Sequence, residues 1–176
     1  MLKWAAIAAI INAIIVIPGF VLGFLTGYLQ DNAAVKIITL IILPIALIAG
    51  LLVLNGYFIL SKKFKLNFLK IMTLITVVFT VVLTVLDIFL ILQPSAALSK
   101  LTLVLLVLLG VEEILFGISI FKLKKKISRL PVALGVLYII SGAFFMTVVL
   151  AAISPIIGLV TCILEAILFS RAAKKF

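Results

Sequence analysis

Histidine is absent from this chain of 176 residues, and cysteine occurs once, as Cys162. Without histidine, zinc sites of the usual Cys/His kinds and His-based triads are excluded. A single cysteine rules out an intramolecular disulfide. Charge is scarce as well. Only 11% of the residues are charged, where a soluble domain carries about a quarter. What replaces them is apolar: 67% of the chain is hydrophobic and the mean hydropathy is +1.57. Too little polar surface exists to coat a water-soluble globule, so lipid is the expected solvent.

The net charge of +10 raises the question of nucleic acid. A nucleic-acid surface interleaves basic residues with stacking aromatics. Here the basic residues sit in short clusters between apolar runs, so no nucleic acid is expected. Membrane topology and anionic headgroups explain them better.

Six apolar segments can be cut from the sequence: Trp4–Tyr28, Val35–Leu60, Phe68–Leu92, Leu101–Phe121, Leu130–Leu150 and Ala151–Ser170. Each has the roughly 20 residues needed to cross about 30 Å of hydrocarbon. Helices are expected, because a helix satisfies its own backbone in lipid. No polar loop divides the last two segments. Pro155 suits the first turn of a sixth helix, where its missing N–H costs nothing. One kinked re-entrant element is the alternative. The first segment follows Lys3 as a signal peptide would, but its apolar run is too long for one and no cleavage site follows. It reads as an uncleaved helix.

Of the 15 basic residues, all but Lys36 and Lys100 then fall on one side. The clusters are Lys62, Lys63, Lys65 and Lys70; Lys122, Lys124, Lys125, Lys126 and Arg129; and Arg171, Lys174 and Lys175, with Lys3 at the start. The positive-inside rule makes both termini cytoplasmic in a cell membrane, with these clusters against anionic lipid. The expected fold is an all-α integral membrane bundle of six transmembrane helices.

The even-numbered spans end alike: "LLVLNGYFILSKK", "LGVEEILFGISIFKLKKK" and "CILEAILFSRAAKK". Aligning the two "ILF" phrases sets Glu112 opposite Glu165, and Asn55 falls at a similar place in the second span. The chain thus reads as three repeated two-helix hairpins, 1–65, 66–128 and 129–176, in a single bundle.

Four carboxylates lie within spans: Asp87, Glu112, Glu113 and Glu165. Intramembrane ionisable groups mark a functional site by default. No Lys or Arg lies at the depth of the glutamates. Low dielectric favours the neutral carboxyl, so at least one glutamate is expected to hold its proton and donate a hydrogen bond. The alternative role is that of interhelical glue. Thr73, Thr76, Thr80, Thr84 and Asp87 stay within an arc of about 80°, one polar stripe on the third span. Each threonine could bond its own i−4 carbonyl, or the stripe could wall a hydrated path. Gly19, Gly23 and Gly27 form a doubled GxxxG packing face, within the bundle or between protomers. No nucleophile, metal set or phosphate loop accompanies the carboxylates, so neither an enzyme nor a cofactor is expected.

The phrases "ILQPSAALSKLTLVLLVLLGVEEILFGISIFKLKKK", "ALGVLYIISGAFFM" and "IIGLVTCILEAILFS" carry an outer proline, spaced glycines and a basic end. Over roughly residues 88–173 this pattern resembles the HdeD-type small membrane proteins. The resemblance implies six helices in repeated pairs and a stress-linked role at the membrane, since one member class is associated with acid resistance. It implies no known chemistry. Three functional readings follow. One is a non-enzymatic membrane protein contributing to envelope or acid-stress tolerance. Another is a small proton- or cation-coupled transporter or channel using the intramembrane carboxylates. The third is a scaffold subunit, as a homo-oligomer or with a membrane partner.

Overall fold

A computed structural model describes residues 1–28, 32–124, 126–127, 129–147 and 153–175. They form six helices: α1 (Leu2–Tyr28), α2 (Ala33–Lys63), α3 (Asn67–Leu92), α4 (Ala96–Phe121), α5 (Leu130–Thr147) and α6 (Ser154–Lys175). All six are long and apolar enough to cross a bilayer, so the fold is that of a multi-pass membrane protein. α5 and α6 are separate helices, and Pro155 lies in the first turn of α6. The expected boundary between Leu150 and Ala151 falls among residues 148–152, outside the described residues.

Each helix packs on the next, and α6 returns to pack on α1. The turn between α2 and α3 is short because α2 ends in two interlocked bonds. The Leu66 N–H donates to the Ser61 carbonyl at 2.8 Å and the Lys65 N–H to the Lys62 carbonyl at 3.2 Å. This is the Schellman arrangement. Lys65 takes the left-handed position, φ 56°, where glycine is usual. At the start of α2 the Asn32 side chain accepts from Ala34 N at 3.0 Å and Val35 N at 3.2 Å. Asn32→Ala is expected to fray that end at a cost of about 1 kcal/mol. Faster amide exchange at Ala34 and Val35, with the helix interior unchanged, is the check.

One end of the bundle is tightly packed. Ala5, Ala6, Ala8 and Ala9 of α1 are all buried, small enough for α1 to lie close to its neighbours. At the same end Tyr57 of α2, Phe116 of α4 and Phe169 of α6 meet in the centre. Tyr57 sits edge-on to Phe116, ring centres 5.2 Å apart, and to Phe169 at 5.0 Å. Such edge-to-face pairs suit the ring quadrupoles. α4 and α5 meet backbone to backbone: a Cβ on Gly110 would stand 2.5 Å from the Gly142 carbonyl oxygen, and one on Gly117 2.6 Å from that of Gly135.

The other end is looser. The buried residues of α3 are Leu69, Met72 and Thr73, all near its start; the rest of α3 is half-buried or exposed. Every described basic residue except Lys36 and Lys100 belongs to the tight end. There Lys62 lies over the Phe58 ring at 4.3 Å and Lys122 over Phe68 at 4.8 Å. The Lys175 ammonium donates to the Lys126 carbonyl at 3.1 Å, holding the end of α6 to the turn after α4. Lys125 is outside the described residues.

Candidate functional site: a carboxyl-lined cavity

Between α3, α4 and α5 lies a half-open cavity of about 230 Å³, room for several waters. The threonine stripe builds one wall. Thr76, Thr80 and Thr84 line it, with Asp87 further along. From Thr76 to Asp87 the stripe rises eleven residue steps, roughly 16 Å of helix or half a membrane. The threonine hydroxyls also bond inward to their own helix. Thr80 donates to the Thr76 carbonyl and Thr84 to the Thr80 carbonyl, both at 2.8 Å. The two readings of the stripe are therefore not exclusive: back-bonding uses the proton of each hydroxyl and leaves its oxygen lone pairs facing the cavity. Thr73 is apart from this wall. It is buried, and it donates to the Leu69 carbonyl at 2.7 Å.

The opposite wall belongs to α4, with Glu112 and Glu113. Adjacent helix residues point about 100° apart, so the pair diverges. Glu112 turns to α3, where its Oε1 lies 2.5 Å from Thr76 Oγ1. That hydroxyl is also 2.9 Å from the Met72 carbonyl. Thr76 has one proton for these two acceptors. Both bonds form together when the Glu112 carboxyl donates to Thr76 and Thr76 donates to Met72. Glu113 turns to α5 and meets Ser141. The Oε2 atoms of Glu112 and Glu113 are buried without a hydrogen-bond partner. Buried polar groups are nearly always paired, so two such atoms beside one cavity are unusual.

Glu165 stands outside the cavity. It is 2% exposed, and the Tyr138 hydroxyl donates to its Oε1 at 2.5 Å. The Tyr57 hydroxyl faces the same carboxyl from α2, without closing a hydrogen bond. Among the described residues, no partner of Glu112, Glu113 or Glu165 is a Lys or Arg.

Asn55 does not join the glutamates. It is exposed on the outer face of α2, while Val53, Leu54 and Tyr57 point inward. Asn55 stands two residues past the equivalent position: four residues before the central aromatic are Val53, Glu112 and Glu165. The glycine face of α1 forms no close contact at Gly19, where an added Cβ would meet only Ile15 of the same helix, at 3.9 Å. The surroundings of Gly23 and Gly27 lie outside the described residues. The basic cluster residues Lys62, Lys63, Lys65, Lys122, Lys124, Lys126, Arg129, Arg171, Lys174 and Lys175 are exposed.

Sequence reasoning missed Tyr57, Tyr138, Phe116 and Ser141. A signal for the tyrosines existed. The chain has three, and a tyrosine within a span needs a partner for its hydroxyl. No protein-family model, curated protein or solved structure matches the chain.

Proposed function

We propose that the protein moves a small cation, a proton or an inorganic ion, across a cell membrane. The observation that carries this is the cavity: carboxyl groups of Asp87, Glu112 and Glu113 beside one space, two of their oxygens buried and unpartnered. An intramembrane carboxyl costs stability, and three of them beside one space, with no Lys or Arg among their described partners, favour a positively charged species there. The positive-inside rule puts the tight, lysine-rich end and both termini in the cytoplasm. The cavity then occupies the outer half of the bundle, and the basic residues hold the inner end against anionic lipid. The three even helices, each bringing one aromatic to the centre, support descent from a repeated hairpin. The stress-tolerance and scaffold readings have no comparable observation behind them.

Purified protein in liposomes is expected to pass cations down a gradient. Glu112→Gln keeps the side chain's shape and removes its ionisable proton. It should lower the flux about tenfold, equivalent to about 1.4 kcal/mol on the barrier. A wild-type flux no greater than that of empty liposomes defeats the proposal.

A further inference from the structure

Tyr138 belongs to two polar groups. Its side chain lines the cavity, and its hydroxyl donates to Glu165, which does not. Beyond Glu112 and Glu113 the route is closed by rings. Phe116 is 1% exposed and packs edge-on against Tyr138 at 5.0 Å and Tyr57 at 5.2 Å. Among the described residues, the Tyr138 hydroxyl is the group hydrogen-bonded across this closure.

We infer that the species carried is the proton, and that Tyr138 passes it from the cavity to Glu165. The inference rests on the cation reading above and names the ion.

A metal cation stripped of water needs about six or more oxygen ligands. Past Tyr138 the groups around Glu165 are few. α5 offers the Tyr138 hydroxyl, α2 the Tyr57 hydroxyl, α6 itself the Cys162 thiol and α4 the Glu113 carboxyl. α1, packed along α6, brings a run of buried alanines. Among the described residues the Tyr138 hydroxyl is the group hydrogen-bonded to Glu165, so the two tyrosine oxygens and the carboxyl's own two fall short of six, and the rings leave no width for a hydrated ion. A proton needs only a chain of donors and acceptors.

The step balances without a redox partner. The Tyr138 O–H bond breaks as its proton bonds to the ionised Glu165 carboxylate. A hydronium ion in the cavity gives a proton to the same tyrosine oxygen and becomes water. Tyrosine ends as it began, and one proton has moved. The Tyr57 hydroxyl, 0% exposed, faces Glu165 from the far side.

The test uses the full chain in liposomes, with a pH-sensitive dye in one preparation and sodium- and potassium-sensitive dyes in others. Proton flux without sodium or potassium flux is expected. Tyr138→Phe and Glu165→Gln should each lower proton flux tenfold or more, with helical circular dichroism unchanged. The infrared carbonyl band of protonated Glu165, identified by its loss in Glu165→Gln, should shift in Tyr138→Phe. Sodium or potassium flux matching that of protons overturns the choice of ion. Proton flux kept within twofold by both variants overturns the handover and leaves the cation reading standing. No flux of any ion overturns both.

Discussion

A single methyl group added at Gly142 is expected to drive α4 and α5 apart. A Cβ there would stand 3.0 Å from the Ile114 backbone nitrogen and closer still to the Gly110 carbonyl. Both are backbone atoms within a helix, so no side chain can turn aside. The helices must separate, and Gly110, Gly117, Gly135 and Gly142 lose contact together. In lipid, no hydrophobic force holds helices to each other, and close packing carries most of their association. Gly142→Ala should therefore destabilise by about 3 kcal/mol, the upper part of the usual range for overpacking. Gly50→Ala is the matched control. A Cβ there meets nothing within 4 Å, and alanine is the better helix former. Denaturant titration in detergent should show a lowered midpoint for the first variant and none for the second. Equal stability of the two would mean that α4 and α5 do not approach as closely as their glycines indicate.

Removing the Tyr57 ring is expected to cost about as much, and removing its hydroxyl almost nothing. The ring is 0% exposed and packs on both Phe116 and Phe169. Tyr57→Ala opens a cavity where α2, α4 and α6 meet, and large-to-small changes at such sites cost about 3–5 kcal/mol. The hydroxyl closes no hydrogen bond, so Tyr57→Phe removes a desolvated polar group and leaves the packing intact. Thermal unfolding in detergent separates the cases. A large loss in Tyr57→Phe would show that the hydroxyl has a partner, Glu165 foremost. Tyr57→Ala with wild-type stability would remove the aromatic cluster from the account of what holds the tight end.

Several parts of this molecule are legible in its sequence. The first four helices followed from the lengths of apolar runs, because hydrocarbon thickness fixes how many residues a span requires, while the separation of α5 from α6 came from the structure. α3 was drawn at Phe68–Leu92 and runs Asn67–Leu92, a one-residue difference within the usual fraying of helix ends. The stripe from Thr73 to Asp87 was visible because five polar residues on one arc stand out against isoleucine, leucine and valine; the structure sets Thr73 apart from the other four. The divergence of Glu112 and Glu113 also followed, since helical pitch alone sets the angle between neighbours.

Asn55 marks where such reasoning stops. In water, the buried face of a helix is apolar and the outer face polar, so sequence periodicity reveals the inside. In lipid both faces are apolar, and the turn of α2 that hides Val53 and Tyr57 while exposing Asn55 leaves no periodic mark. The partners of the carboxyls were equally unreadable. Thr76 meets Glu112 across 36 positions, and Tyr138 meets Glu165 across 27. Both meetings depend on which helices are neighbours and how each is rotated. The sequence by itself determined the apolar runs, the charge asymmetry between their ends and the presence of ionisable groups among them, because those depend on composition and length. The tertiary structure alone decided that Glu112 and Glu113 border a cavity and that a tyrosine connects it to Glu165, because helix rotation and close glycine contacts are set by packing between segments.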